Sequence, residues 1–459
     1  MLPIQLAKLT DPDPGLHGAL AVIDTFDAAL VAGLGRPSDA TESALQALAA
    51  AVGATPLADP VRAAVDKTLS GSVHDLQVAV LAAARSAVLG AVHDALLATL
   101  DGALGRTRSA WPGRPTMVPQ PDPALAGARS WLRDVAIAGW RGVDEDLIGG
   151  CDQAVRAALG APARRRLATV LDGLAGELRA CAPTAGLPQI PTRRWADLWA
   201  RAVLLAQPGS PVLDPATVET VSGRLLPLGV DVQEHGTVVQ IQVHGALETP
   251  SGPPRLVRTS VAVGKVETIA GAAVWPLLQR YPLLLRALAE QQTIDLVDVP
   301  LLDSGDLLWA EDRATLAEPA DPFATARIVL PTAEAMPVPP LDRHPVRIAE
   351  PVLVEGYTVD GGDLVLGECR LPLALDRLPA AGPVTADQVA ASKAGIGLLR
   401  WDHGGWRLQP VGVLTAVKKK SVAVHVSDWA LGATDPKVAK SGADTVTVLR
   451  ERAGRLLRR

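Results

Sequence analysis

The chain has 459 residues and a mass of 47.7 kDa, a length that suggests roughly two to four domains and supplies a core needing neither disulfides nor a structural metal. Hydrophobic residues make up 48% and charged residues 20%, which excludes a chain disordered throughout. The net charge of −5 excludes a globally basic nucleic-acid coat. Cys151, Cys181 and Cys369 are too few for a disulfide framework and too far apart in sequence for a local zinc knuckle, so a reducing setting is expected.

The charge is unevenly spread. Residues 1–204 carry 19 basic and 20 acidic side chains, residues 205–345 carry 9 and 17, and residues 346–459 carry 16 and 12. An acidic middle and a basic end follow. Residues 1–10 lack the basic start, apolar run and cleavage site of a secretory signal, so a cytoplasmic location is the expectation. No apolar stretch of 18 or more residues is free of Asp, Arg, Gln or His, and no transmembrane segment is expected. The Arg-over-Lys bias with abundant Ala, Gly and Pro is that of GC-rich, bacterial coding.

The first part reads as an all-helical domain, residues 1–206. Apolar positions recur at helical spacing in residues 16–34 and, more broadly, in residues 73–104. A proline-rich break covers 107–123, after which helical spacing returns at 124–138, 145–159 and 163–178. Arg164, Arg165 and Arg166 open the last of these as a solvated face. The most distinctive helix follows Thr192: Trp195, Leu198, Trp199, Ala202 and Leu205 form one apolar face. That face suits core packing, and the paired tryptophans would anchor a partner if exposed.

An α+β domain, residues 207–299, is expected next. Val239, Ile241 and Val243 alternate with Gln240, Gln242 and His244, and residues 255–267 alternate in the same way, with Pro250, Gly252, Pro253 and Pro254 between them. An antiparallel pair results, covered by a helix over 272–291 and followed by a strand at 293–299. Eight prolines between 300 and 345 predict a connector or strap at 300–343. The last domain, residues 344–459, reads as β-rich, a small barrel or sandwich. Asp402-His403-Gly404-Gly405 makes a hairpin turn that sets Trp401 opposite Trp406. A basic amphipathic helix or tail closes the chain. The fold class is therefore multidomain α+β.

Short catalytic motifs are missing. Gly264-Lys265 is followed by Val266 rather than entering a phosphate-cradling helix, and neither a Gly-x-Ser-x-Gly elbow nor a His-Glu-x-x-His helix occurs. Asp295, Asp298, Asp303, Asp306, Glu311 and Asp312 form the best acidic constellation. They read first as solvated carboxylates alternating with core leucines and valines, then as a surface for a basic partner, and last as a metal site. His403, in a hairpin loop, and the pair Asp295 and Asp298 are the residual catalytic candidates; no cofactor or metal is expected. His235, His244 and His425 read as structural or solvated, and the three cysteines as small packing side chains.

The strongest interaction signal is the basic end, where residues 418–459 hold ten Lys/Arg against four Asp/Glu. Lys418, Lys419, Lys420, Arg450, Arg452, Arg455, Arg458 and Arg459 would attract an acidic protein face, a phosphate backbone or an anionic membrane surface, with Trp401 and Trp406 available for stacking if exposed. The expected function is a non-catalytic scaffold or adaptor acting through protein–protein interaction. The alternatives are an enzyme acting on an anionic or phosphorylated small molecule and a nucleic-acid-binding module.

Overall fold

A computed structural model describes residues 1–10, 14–112, 122–209, 218–417, 420–440 and 451. Ten helices occupy the first part: α1 (Pro3–Leu9), α2 (Pro14–Ala32), α3 (Asp39–Ala51), α4 (Ala58–Leu69), α5 (Asp75–Leu104), α6 (Ala126–Ala138), α7 (Glu145–Gly149), α8 (Cys151–Leu159), α9 (Arg165–Cys181) and α10 (Thr192–Leu205). Their boundaries follow ordinary capping chemistry. Ser38 and Asp144 accept the backbone N–H groups of Thr41 and Leu147 at the starts of α3 and α7, and Gly105 ends α5 in the left-handed conformation. Helix α5 has no exposed residue from Gln77 to Gly90, whereas Ala91, Asp94, Ala95, Ala98, Thr99 and Gly102 leave one face exposed in its second half.

Both α2 and α5 are long and apolar enough, by length and composition, to cross a membrane. In α5, 61% of the qualifying window is covered by the rest of the chain. Its central Arg85 is 1% exposed and binds Asp27 of α2 with both carboxylate oxygens engaged, at 2.6 and 2.8 Å, and Asp197 of α10 at 2.7 Å. Arg193 reaches Asp27 at 3.2 Å, and His344 reaches Asp197 at 3.0 Å. Three helices and a distant loop thus meet on one guanidinium.

The second part is a six-stranded ladder. Its strands are β1 (Glu219–Glu234), β2 (Val238–Glu248), β3 (Arg255–Gly264), β4 (Gln292–Leu301), β5 (Asp306–Leu307) and β6 (Ala314–Pro319), in the order β1-β2-β3-β5-β4-β6. The long, bulged β1 pairs with β2 through its second half and with β4 through its first, so the ladder returns on itself. The expected helix over 272–291 is two pieces, a 3-10 helix Gly271–Leu278 and α11 (Pro282–Ala289). Pro282 sits at the first turn of α11, where no N–H is needed.

Residues 300–343 differ from the expected connector. They contribute β5, β6 and α12 (Pro322–Val329), and their prolines punctuate rather than abolish regular structure: Pro319 ends β6 and Pro322 starts α12. Only the stretch after α12 is extended, and it is held in place by backbone pairing of Ala335 with Thr107 and of Glu334 with Leu256.

The third part has β7 (Glu350–Glu355), β8 (Thr358–Asp360), β9 (Asp363–Leu366), β10 (Cys369–Pro372), α13 (Ala386–Ala390), β11 (Ala394–Asp402), β12 (Gly405–Val417) and β13 (Lys420–His425). They form an open antiparallel sheet, β13-β12-β11-β7, and a meander, β10-β9-β8. Strand β11 is buried on both faces. One side packs with Leu228 and Phe323, and the other joins a core that also takes in Leu6, Leu9, Leu96 and Leu100 of the helical part. The first and third parts therefore share a core, which the sequence had assigned to separate domains.

Replacing Arg85 with Met strands Asp27 without its main counter-charge, and a loss of about 3–5 kcal/mol is expected. Asp27→Asn combined with Arg85→Met should recover part of it, and urea denaturation of the two variants measures the difference.

Candidate functional site

Alternation along β1, β2 and β3 gives the sheet one apolar and one polar face. Asp231 and Gln233 of β1, Gln240, Gln242 and His244 of β2, and Arg258 and Ser260 of β3 share the polar one, with His244 directly across from Arg258. A polar face usually looks into solvent. Here the third part covers much of it: His244 is 4% exposed, Asp231 4% and Arg400 of β11 6%.

Burial forces these groups to pair. Arg400 donates to Asp231 Oδ2 at 2.7 Å and to Gln409, while Gln409 and Gln233 donate to Asp231 at 2.8 Å each. Arg258 clamps Asp306 through Nε and Nη2, and Ser304 donates to the same carboxylate at 2.6 Å. Glu350, opening β7, receives Arg106 at 2.8 Å and Arg108 at 3.3 Å. Arg108 also binds Asp101 of α5 at 2.7 and 3.0 Å and the Met336 carbonyl at 2.8 Å. The chain turned by Gly105 thus aims two arginines at one glutamate 244 residues away.

The electrostatics follow from this arrangement. Burial works against the Glu350 carboxylate, but Arg108, Arg106 and Arg258 overcome it and hold its pKa at about 2. Burial pushes the His244 imidazole down to about 4, against the pull of Asp231. His244 is therefore neutral at pH 7, and among the described residues its Nε2 has no partner; Arg106 Nε is likewise unpartnered there. Burial also pushes the Cys151 thiol up to about 12, which leaves it a packing side chain.

Beside this network the structure has a cleft of about 300 Å³, lined by Ser260, Val261, Tyr281, Asp306, Leu307, Leu308 and Trp309. Asp306 belongs to both cleft and network. Trp309 and Tyr281 wall the cleft, and Glu311 steadies that wall by accepting from Trp309 Nε1 at 2.7 Å and from the backbone of Leu283.

The residues singled out from sequence fall elsewhere. Trp195 and Trp199 are fully buried, with Trp195 edge-on to Trp140 at 6.0 Å and both indoles hydrogen-bonded inside the helical part; their apolar face is core, which corrects the expectation of a docking surface. Trp401 and Trp406 meet edge-to-face at 5.5 Å and are 4% and 5% exposed, so they form a packed cross-strand pair and no stacking platform. His403 is a turn residue with positive φ and a 79% exposed side chain. Asp295 pairs with Arg224 at 3.0 Å across β1 and β4, and Asp298 sits in the β4 bulge, its N–H bonded to Ser222. The structure brings neither aspartate to His403 as a catalytic group, and among the described residues no three His, Cys, Asp or Glu side chains gather as metal ligands. Lys420 is exposed at the start of β13. Lys418, Lys419, Arg450, Arg452, Arg455, Arg458 and Arg459 lie outside the described residues.

Sequence reasoning placed His244 on a polar strand face and Asp306 among solvated acids. The missed signal was Arg258 at the cross-strand position to His244, on the face that also carries Asp231. No protein-family model, curated protein or solved structure matches the chain.

The pH dependence separates these groups. The folded His244 pKa lies below its ordinary 6.5, so the unfolded chain binds the extra proton between pH 6.5 and 4. Stability is highest above this window and falls as pH drops through it, by about 3 kcal/mol from this residue. His244→Gln should flatten that slope in urea unfolding at pH 7, 5.5 and 4.5, whereas the loss due to Glu350 sets in only below its ordinary 4.5.

Proposed function

We propose that the protein is a non-catalytic scaffold or adaptor that mediates protein–protein interaction in a cytoplasmic complex. The observation that supports this reading is how the buried charges are used. Glu350 ties the third part to Arg106 and Arg108, Asp231 ties the second to Arg400, and Arg85 ties three helices together. Such pairs cost desolvation energy and return geometric definition. A body with its parts fixed against one another suits the presentation of surfaces in a set arrangement, with the C-terminal strands read as a small sandwich-like unit within it.

A second reading, an enzyme acting on an anionic small molecule, is favoured by one feature: neutral His244 with an unpartnered Nε2 opposite Arg258. The nucleic-acid alternative rests on the basic end, of which Lys420, Lys437 and Lys440 are described.

The adaptor reading is tested by purifying the full chain from native lysate in mild salt, with and without nuclease. A near-stoichiometric protein partner that survives nuclease is expected. Recovery of nucleic acid alone, or of nothing, overturns the reading, and a thermal shift with phosphorylated small molecules that His244→Gln abolishes would favour the enzyme.

A further inference from the structure

The cleft lies where a strand ladder stops halfway. Strand β3 pairs with β2 along its whole length, to Gly264 opposite Val238. On its other side, among the described residues, it is paired by β5 only at Arg258 and Thr259. The N–H groups of Leu256 and Arg258 donate outward, to Glu334 and Gly305. By the two-residue period of a strand, Ala262 and Gly264 point theirs the same way, and Ser260, Ala262 and Gly264 are exposed.

Native sheets guard such edges with charge or proline. Edge strand β6 carries Glu318 and Pro319, β7 carries Glu350, Pro351 and Glu355, β10 carries Arg370 and Pro372, and β13 begins with Lys420. The open run 260–264, Ser-Val-Ala-Val-Gly, has neither. Lys265, the next residue, turns its amine onto the Ile269 carbonyl at 2.9 Å, and Arg280 lies over the Tyr281 ring, 5.2 Å from its centroid.

We propose that the open edge of β3 at Ser260–Gly264, with the adjoining Trp309/Tyr281 cleft, binds an extended peptide of a partner protein that adds as a strand and carries one large apolar side chain between basic residues. This rests on the adaptor reading and names its docking site. The peptide continues the place beside β3 that β5 vacates after Leu307, satisfying the outward backbone groups of Ala262 and Gly264. Its apolar side chain fills the 300 Å³ cleft between Trp309, Tyr281, Leu308 and Val261. The basic flanks follow from the acidic balance of the part that carries the edge, 17 acidic against 9 basic side chains over residues 205–345.

The test uses the full chain and three synthetic octapeptides: an alternating Lys/Val sequence with a central Phe, the same sequence with Glu for Lys, and the Lys peptide N-methylated on alternate backbone nitrogens. Fluorescence anisotropy reads binding, and amide exchange reads protection at 260–265. The Lys peptide is expected to bind and to slow exchange at Ala262 and Gly264. Ala262→Pro in the protein should weaken binding about tenfold, the loss of one backbone hydrogen bond; N-methylation, which blocks several donors on the edge-facing side of the peptide, and Trp309→Ala should each weaken it at least as much. The N-methylated peptide keeps the test valid if a protein variant fails to fold.

Absence of binding, equal binding of the N-methylated peptide, or no preference for Lys over Glu flanks overturns the proposal. If a nuclease-resistant partner still co-purifies with wild type and with Ala262→Pro alike, the edge is not the docking site while the adaptor reading stands. If no partner co-purifies at all, both fail.

Discussion

Charge buried between sheets is the constraint on which the arrangement of this protein depends. Glu350, Arg106, Arg108 and Asp101 meet where the end of α5, the segment after it and the first strand of the third part converge. Asp231 with Arg400, and Arg258 with Asp306, extend the ionic seam across the polar face of the second part. Each ion loses hydration on folding, and only close pairing offsets that cost. A shift of one part against another would separate several pairs at once, so the seam fixes register in a way that apolar burial, which has no direction, does not.

The helical part repeats the device on a smaller scale. Arg85 is held by Asp27 and Asp197, with His344 closing on Asp197 from the loop after α12. The apolar core around it is continuous, and Trp140, Trp195 and Trp199 fill it. Tryptophans that looked like anchors for a partner serve this core instead, because α10 is enclosed by α2, α5, α6 and α9.

Much of the local structure was legible. Alternating residues in 237–247 and 255–267 pair as β2 and β3, and the Asp402–Gly405 turn sets Trp401 against Trp406. The prolines of 300–343 misled because their density was weighed without their positions. At a strand end or a helix first turn a proline breaks nothing. The candidate site was hardly legible: the ion pairs that join its elements, Arg258–Asp306, Asp231–Arg400 and Arg106–Glu350, are separated by 48, 169 and 244 residues, and no local pattern marks either partner.

The sequence by itself determined the periods of helix and strand, the turns between them and which strand faces are polar, because these depend on residues within a few positions of one another. Only the tertiary structure decided that the polar face of the sheet is buried around His244 and Asp231, that His244 is neutral there and that Trp195 is inaccessible. Burial and ionisation are set by what packs against a residue, and for His244 those neighbours include Glu350 and Arg400, more than a hundred residues on.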